Sequence, residues 1–485
     1  MDQLLKIVQT INAYLSDYIL IILLVGTGLF FTIKTRFVQV RCFGEGMRSV
    51  FGGFSLHGGK HESGLSSFQA LATAIAAHVG TGNIVGASGA ILIGGPGAIF
   101  WMWVIAFLGM ATIYAEAVLA QETRVVDKNG EVHGGPVYYI KKAFKGGFGK
   151  FLATFFAVAI TLALGFMGAM VQSNSIAESC NTAFGIPTWI VGVILAVICA
   201  VIFIGGIQRI ASVAEKIVPL MAILFLFGGL IVLITNITRI PETFGMIFRY
   251  AFTPNALIGG GIGMAIKTAV SQGAKRGLFS NEAGMGSTPH AHAMANVKKP
   301  HDQGVTAMIG VFIDTFIVLT MTALVVITSL YTEGGLLSGL TGDAYIAATQ
   351  GSTALLTKAN AMQLVCTNGF PSFMSGIGNG FVAICLLFFA FTTIIGWNFF
   401  GKINVQYLFK NNKIATLVYS IIAIAFIFLG TLLSNDLVWE LTDFFNYLMV
   451  IPNVIALIAL SGIVVESAKG AYALKQSKKN DKQDK

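Results

Sequence analysis

The nine residues HVGTGNIVG (His78–Gly86) lie in the middle of an apolar segment long enough to cross a membrane. Gly80–Gly86 holds three glycines, a threonine and an asparagine, and each glycine costs a helix about 1 kcal/mol relative to alanine. Two interpretations fit this composition. The small residues form a seam against which another helix packs, or the helix breaks here. The stretch alone favours neither.

The composition is that of a polytopic membrane protein. Of the 485 residues, 55% are hydrophobic and only 11% are charged, whereas a soluble domain has about 25% charged residues. The net charge of +9 does not indicate nucleic acid as a partner, because the cations lie in short loops and the tail and no basic domain with aromatic residues accompanies them. We therefore expect a lipid bilayer as a partner and no nucleic acid. The sequence does not indicate the oligomeric state.

Membrane spans need about 20 apolar residues each. By this criterion the sequence predicts an all-α integral membrane protein, a single domain over residues 1–485 with about eleven transmembrane helices. The predicted spans are residues 14–34, 67–94, 98–121, 151–179, 187–206, 212–235, 269–298, 304–330, 377–401, 414–433 and 437–465. The seventh is far less apolar than the others.

Lysine and arginine residues indicate the orientation. With eleven spans, the cation-rich loops after spans 1, 3 and 5 and the basic tail over 466–485 all fall on one side of the membrane. Because cytoplasmic loops carry the excess of these residues, the N-terminus is predicted outside and the C-terminus in the cytoplasm. We expect a multi-pass protein of the prokaryotic plasma (inner) membrane.

A second glycine-interrupted segment, SNEAGMGSTPHAHA (Ser280–Ala293), lies five spans after the first. Its Gly284–Ser287 places a small polar residue after a glycine-x-glycine pattern, as Gly80–Asn83 does. Paired interruptions in matching positions of two halves are typical of transporters built from inverted repeats. The pair therefore favours a helix break over a packing seam at Gly80–Gly82.

The spacing of the two breaks predicts the repeats. An odd number of spans between the breaks inverts the second unit relative to the first. Residues 14–34 then form an extra helix, 67–235 the first five-helix repeat and 269–465 the second. A rival placement of span 7 at Leu257–Ala274 is more apolar but rich in glycine, and it stays open.

A broken helix leaves backbone groups unpaired, which a bilayer tolerates only where they line a cavity or are buried in protein. Freed N–H groups at a half-helix N-terminus attract a carboxylate, and freed carbonyl groups coordinate a cation. One break can therefore hold a small zwitterion beside a cation.

Several longer stretches resemble one family. GGPGAIFWMWVIAFLG (Gly94–Gly109), with GTGNIVG before it and YAEAVLAQETR (Tyr114–Arg124) after it, resembles the alanine/glycine:cation symporter family. RGLFSNEAGMGS (Arg276–Ser287) and FTTIIGW (Phe391–Trp397) resemble it too, and the resemblance runs from about Ser66 to the last span. It implies sodium-coupled uptake of small neutral amino acids, chiefly alanine and glycine, by alternating access. It also implies the five-plus-five inverted-repeat fold of the neurotransmitter:sodium symporters.

The resemblance implies a sodium site between two spans. Backbone carbonyls of Ala76 and Val79 supply one half, and Thr392, Thr393 and the carbonyl of Phe389 supply the other. Oxygen atoms without a carboxylate suit a hard monovalent cation. Without the resemblance, two adjacent threonines in an apolar run are expected to hydrogen bond to their own helix.

The predicted substrate site adjoins the sodium site. The resemblance places the substrate carboxylate on the backbone amides of Gly80–Gly82, and Gln172 and Met285 match family or fold positions that contact substrate or narrow the pocket. Trp397 lies one helical turn after Thr393, where it caps a small pocket or belongs to the interfacial belt. Asn83 matches a second sodium position of the wider fold, and it also suits substrate contact or bracing of the break. The full predicted set is Gly80, Thr81, Gly82, Asn83, Gln172, Asn281, Met285, Thr393 and Trp397.

Ionisable residues within spans are functional candidates. A proton-coupled transporter of the same fold would use His78 or Asp314 as proton carrier, whereas Glu116 and Glu282 are expected to pair with arginine or lysine. Another alternative keeps sodium but has glutamine or serine as the main substrate. We expect no enzyme, because no nucleophile–base motif is present and His290–His292 has no partner cluster for a metal. Na⁺ is the expected coupling ion, with no organic cofactor.

Overall fold

The computed structural model describes residues 2–52, 65–127, 130–204, 206–259, 261–350 and 354–470, and nearly all of them are helical. The loop cations Lys60 and Lys128 and most of the predicted basic tail lie outside these residues. The prediction of an all-α membrane protein is confirmed.

Eight helices of the described chain are long and apolar enough to cross a membrane, and nine spans result if one bent pair counts as a span. These eight are Gln3–Lys34, Ala98–Thr123, Gly146–Phe184, Arg209–Thr235, Pro300–Leu330, Gly378–Leu408, Lys413–Gly430 and Asn435–Ala459. The bent pair is Ser67–His78 with Gly82–Gly94. Thr188–Ile204 and Ile262–Asn281 fall on the two remaining predicted spans, although they do not meet the same test. The total of eleven spans stays a prediction.

Short elements connect the long helices. They are the helices Val38–Arg41, Phe43–Phe51, Pro136–Ala143, Ile237–Arg239, Ile240–Phe252, Asn255–Ile258, Pro289–Ala293, Gly342–Thr349, Ala361–Gly369, Ser375–Ile377 and 461–470. One hairpin of two short strands, Val125–Val126 and Val132–His133, pairs antiparallel after the helix Ala98–Thr123.

The first broken helix interrupts the chain where the sequence predicts it. Ser66 and Gln69 form a capping box at the start of the helix Ser67–His78. The next residue, Val79, has left the helical conformation, with φ −80° and ψ 87°. The second half, Gly82–Gly94, is bent by 48° from the first. The packing-seam interpretation also holds, because a Cβ atom on Gly82 would lie only 3.1 Å from the Cα atom of Ser280. The small residues thus break the helix and let another backbone approach.

The second broken helix consists of Ile262–Asn281 and Pro289–Ala293. Between them Gly284 and Gly286 have φ of +93° and +80°, values that favour glycine, and Glu282 has φ +57°. The helix Ile262–Asn281 overlaps both placements of span 7, at 257–274 and at 269–298, and it ends at the predicted break. Both placements stay predictions.

The breaks of both helices are buried inside the molecule, and outer helices surround them. Val197, Ile223 and Ile414 on three outer helices are 60%, 68% and 73% exposed, whereas every residue from Ala70 to Leu92 is buried. Apolar side chains on the outside suit contact with lipid. The breaks are thereby kept away from the bilayer, as unpaired backbone requires.

Candidate ion and substrate site

The predicted sodium-site residues converge on the hydroxyl group of Thr393. Its Oγ1 lies 3.0 Å from the carbonyl oxygen of Ala76 and 3.5 Å from that of Val79, both at the end of Ser67–His78. The carbonyl oxygen of Phe389 is 3.0 Å away on the helix of Thr393 itself. A hydroxyl has one hydrogen to donate, so at most one of these oxygens accepts a full hydrogen bond at a time. Four oxygen atoms from two helices therefore face one point.

Thr392 contributes less directly to this cluster. Its Oγ1 donates within its own helix, at 3.0 Å from the carbonyl oxygen of Phe388 and 2.9 Å from that of Phe389. The expectation that threonines in a helix bond to their own backbone thus describes Thr392 better than Thr393, although Thr392 Oγ1 also lies 3.6 Å from the Met221 sulfur. The structure brings all five predicted residues together, with Thr393 as the link between the helices.

The freed N–H groups of the first break bind side-chain amides. The Gly80 N–H donates to Asn83 Oδ1 at 3.0 Å, and the Thr81 N–H donates to Gln172 Oε1 at 3.1 Å. Among the described residues, Thr81 Oγ1 and Gln172 Nε2 are buried without a hydrogen-bond partner. A Cβ atom on Gly80 would meet Gln172 Oε1 and Thr393 Oγ1. The break, Gln172 and the ion oxygens are therefore one continuous polar site.

Asp314 joins the two broken helices. Its carboxylate accepts from Asn83 Nδ2 at 2.7 Å on the first helix and from Ser280 Oγ at 2.7 Å on the second. Thr315 Oγ1 adds a third donor at 2.9 Å. Asn83 thus accepts from the Gly80 N–H with its oxygen and donates to Asp314 with its nitrogen. These two bonds connect the first break to Asp314 and stabilise it.

Asn281 and Met285 lie in the second break. Asn281 Oδ1 accepts from the Ala283 N–H at 3.1 Å, and its Nδ2 donates to Thr315 Oγ1 at 3.2 Å. Met285 lies between the two left-handed glycines and is fully buried. Asn281 therefore stabilises the turn itself, and the amide of its side chain is already bonded on both sides.

The second break holds a carboxylate of the chain itself. Glu116, on the helix Ala98–Thr123, accepts from the N–H groups of Gly284 at 3.1 Å and Gly286 at 2.9 Å. Asn453 Nδ2 donates to the same carboxylate at 2.6 Å. The expected pairing of Glu116 with arginine or lysine is wrong, because three neutral donors surround it. Because every residue except proline has a backbone N–H group, the residue types in a sequence do not indicate which of these groups will bind a carboxylate.

Trp397 connects the helix of the ion oxygens to this second break. Its indole N–H donates to Glu282 Oε1 at 2.5 Å, and Ser287 Oγ donates to the other oxygen of Glu282. The Trp397 side chain is 1% exposed. Its ring packs edge-to-face with the Phe279 ring, and the two ring centres are 5.6 Å apart. It therefore does not belong to an interfacial belt. The expected basic partner of Glu282 is also wrong.

Comparison with known proteins assigns this arrangement to a family. The family model described as the sodium:alanine symporter family matches residues 1–485. The chain belongs to the sodium:alanine symporter family. It is therefore a multi-pass membrane transporter and not an enzyme.

Three proteins illustrate what this symporter resembles. The sodium/alanine symporter AgcS of Methanococcus maripaludis is 41% identical over 479 residues, which cover 98% of each chain. The probable sodium/glutamine symporter GlnT of Bacillus subtilis is 38% identical over 481 residues, 99% of this chain and 93% of that one. The crystal structure of MhsT in complex with L-phenylalanine has a TM-score of 0.55 at 14% identity, covering 84% of this chain and 100% of that one. MhsT and this symporter share their fold.

On the predicted outer side of the symporter, charged side chains are paired. Arg276 donates to Asp443 at 2.9 Å and lies 4.6 Å from the centre of the Trp439 ring. Lys358 pairs with Asp436 at 2.9 Å, and together these residues line a cavity of about 200 Å³. Arg276 is therefore held inside the protein, because Asp443 is a buried partner for it.

Three further residues of the candidate site were not predicted from the sequence. Phe279 lies between Trp397 and Trp439, with its ring centre 4.7 Å from that of Trp439. Ser280 binds Asp314 as described above. Asn453 contacts Glu116, and its signal was a polar residue inside the otherwise apolar last span.

The histidines near the breaks divide into two kinds. His290 and His292 contact the amides of Asn404 at 2.9 Å and Gln303 at 2.8 Å, which are structural contacts. His78 is buried, and neither of its ring nitrogens has a hydrogen-bond partner among the described residues.

Proposed function

We propose that this symporter imports alanine or glycine together with Na⁺ across a prokaryotic plasma membrane, with its N-terminus outside and its C-terminus in the cytoplasm. The observation that carries the proposal is the first break. There the oxygen cluster around Thr393 adjoins the freed N–H groups of Gly80 and Thr81. A cation and a carboxylate can therefore bind side by side. The repeats over 67–235 and 269–465 supply the two halves that move in alternating access.

Na⁺ would bind among the carbonyl oxygens of Ala76, Val79 and Phe389 and the hydroxyl groups of Thr392 and Thr393. Hard cations prefer oxygen ligands, and this set carries no formal charge. A monovalent ion suits it better than a divalent ion, which usually takes carboxylate ligands. The ion would tie the end of Ser67–His78 to the helix Gly378–Leu408 and so fix the geometry of the break.

The substrate carboxylate would take over the N–H groups of Gly80 and Thr81 from the side chains that hold them. Gln172 Nε2 and Thr81 Oγ1 are then at hand as further donors. A buried polar group without a partner costs about 1–3 kcal/mol, so a carboxylate that satisfies both groups gains affinity. Phe279 packs so closely against Gly82 that a Cβ atom there would lie 3.0 Å from its ring, and this close packing is consistent with a small substrate.

Transport by reconstituted protein tests the coupling ion and the substrate. In proteoliposomes we expect an inward Na⁺ gradient to drive uptake of labelled alanine, and replacement of Na⁺ by choline to abolish it. A protonophore that collapses a pH gradient is expected to leave uptake unchanged. Equal uptake in choline would contradict sodium coupling. Glycine, serine and glutamine serve as competitors, and stronger competition by glutamine than by glycine would overturn the proposed substrate.

Replacement of Gln172 by leucine tests the substrate site. We expect the KM for alanine to rise about 10- to 100-fold, because a hydrogen bond to a charged group contributes about 1.5–3 kcal/mol. Gln363→Leu is a matched control, since Gln363 is also buried and donates to carbonyl oxygens away from the break. An equal change of KM in both variants would place the effect in general packing and not in substrate contact.

A further inference from the structure

A cluster of potential metal ligands lies away from the transport site. It consists of Cys42, Glu45 and His301, whose ligand atoms all lie within 4.8 Å of one another. Cys42 immediately precedes the helix Phe43–Phe51, and His301 is the second residue of the helix Pro300–Leu330. We propose that these three side chains bind a Zn²⁺ ion, which ties the short helix to the long one.

The distances between the ligand atoms suit zinc. Tetrahedral Zn²⁺ with bonds of about 2.0–2.1 Å to nitrogen and oxygen separates these atoms by about 3.3 Å. His301 Nε2 lies 3.3 Å from Glu45 Oε1. A thiolate bond of about 2.3 Å requires sulfur to lie about 3.5 Å from either atom. Because the ligand atoms lie within 4.8 Å of one another, the Cys42 sulfur needs to move closer to either atom by about 1.3 Å at most.

The ligand types select the ion. A thiolate, an imidazole and a carboxylate are the common ligands of Zn²⁺, whereas Mg²⁺ and Ca²⁺ take oxygen ligands only. Zinc binding would release the thiol proton of Cys42, because the thiolate is the ligand. These three side chains supply three of the four positions of a tetrahedral shell.

The surrounding contacts orient the three ligands. The Tyr114 hydroxyl lies 2.7 Å from His301 Nδ1, which turns Nε2 toward Glu45. Metal-binding histidines commonly have such a partner on the second nitrogen. Cys42 and His301 are 4% and 3% exposed, and the Glu45 side chain is 31% exposed. The ion can therefore enter past Glu45.

The two helices are already held close together beside the cluster. A Cβ atom on Gly46 would lie 2.7 Å from the Val305 carbonyl oxygen, so only glycine permits this approach. One turn further, Ser49 Oγ and Thr306 Oγ1 are 2.9 Å apart. These contacts fix the distance between the ligands in advance, which lowers the cost of ordering them on binding.

Cobalt serves as a spectroscopic probe of this site. Full-length protein in detergent, stripped of metal with a chelator, is titrated with Co²⁺. We expect one equivalent to produce a thiolate-to-cobalt charge-transfer band together with the visible bands of four-coordinate cobalt, and Zn²⁺ to remove both. C42S is expected to lose the charge-transfer band and to bind Zn²⁺ about a hundredfold more weakly, because one ligand of the set is gone. Y114F is expected to weaken binding about tenfold.

Controls separate this site from other thiols and surface ligands. Cys180 is a half-buried thiol elsewhere in the chain, and C180S should keep the band. The exposed group of Asp127, Glu131 and His133 has no thiol and cannot produce it. At a Zn²⁺ concentration that saturates the wild-type protein, the melting temperature of the wild type and of C180S should rise, and that of C42S should rise less, because it binds Zn²⁺ more weakly.

A titration without a thiolate band, or unchanged Zn²⁺ affinity in C42S, would overturn the proposal and leave an ordinary ion pair between Glu45 and His301. If C42S does not fold, H301Q replaces it, with the same expected loss of Zn²⁺ affinity and the same contradicting result. Alanine uptake is not needed for any of these measurements, so they stand apart from the proposed transport function.

Discussion

Valine in place of Thr393 is expected to weaken Na⁺ binding by about 10- to 100-fold, because one oxygen ligand is worth about as much as a hydrogen bond to a charged group, about 1.5–3 kcal/mol. Thr393 Oγ1 is the atom that faces both halves of the site, 3.0 Å from the Ala76 oxygen and 3.0 Å from the Phe389 oxygen. Valine keeps the branched shape of the side chain and removes only this oxygen. The Na⁺ concentration that half-saturates alanine uptake measures the effect.

Thr161→Val is the matched control. Thr161 is also buried in a long helix, but among the described residues its hydroxyl donates only to the Ala157 carbonyl of its own helix, at 2.7 Å. We expect its Na⁺ dependence to match that of the wild type. If both variants shift equally, the loss of any buried hydroxyl explains the result and the ion site lies elsewhere. Because coupling is reciprocal, the affinity for alanine at low Na⁺ should fall together with the affinity for Na⁺ in Thr393→Val.

The same helix connects the ion oxygens with the second break. Trp397 lies one turn beyond Thr393 and donates to Glu282, where the second helix leaves its regular conformation. Asp314 then links Ser280 on that helix back to Asn83 on the first. An ion that fixes Thr393 against Ala76 therefore acts on a chain of hydrogen bonds that passes through both breaks. This is the physical route by which Na⁺ binding can order the substrate site.

The matching positions of two glycine patterns, together with the family resemblance, were sufficient to predict both breaks. A glycine-x-glycine pattern alone does not break a helix, since Gly26–Gly28 has the same pattern inside the continuous helix Ile21–Lys34. At the second break Gly284 and Gly286 adopt a left-handed φ, which glycine does without strain. The sodium residues could be named because the resemblance supplied them, since carbonyl oxygens of Ala76 or Phe389 differ in no way from other backbone oxygens in a sequence. Fold class and break positions were therefore within reach of the sequence.

The partners of the buried charges were not within its reach. Glu116 binds backbone N–H groups far along the chain, and Arg276 finds Asp443 in the last long helix. Such pairs depend on how helices pack, which residue types and spacing do not reveal. The expectation of basic partners for Glu116 followed a general rule for buried charges. It failed because unpaired backbone of a broken helix offers the same stabilisation without a cation.

Glutamine in place of Glu116 is expected to destabilise the folded transporter by about 3–5 kcal/mol and to abolish uptake, because a charged hydrogen bond is lost and a buried donor is left unsatisfied. All three partners of the carboxylate are donors: the N–H groups of Gly284 and Gly286 and the amide of Asn453. Glutamine has nearly the same size but presents an NH₂ group to one of them. The melting temperature in detergent and the rate of alanine uptake measure the loss.

Two further variants separate this effect from a general loss of charge. Glu122 lies on the same helix but is exposed, so Glu122→Gln should change neither melting temperature nor uptake. Asn453→Ala leaves both N–H groups of the break bonded to Glu116, but it removes the hydrogen bonds of Asn453 with Tyr139, Glu116 and the Gly284 carbonyl. It should therefore also destabilise the protein more than Glu122→Gln does. A Glu116→Gln protein as stable and active as Glu122→Gln would show that the carboxylate does not hold the second break. The same ranking should appear in urea, since loss of the Gly284 hydrogen bond acts on the folded state whatever the means of unfolding.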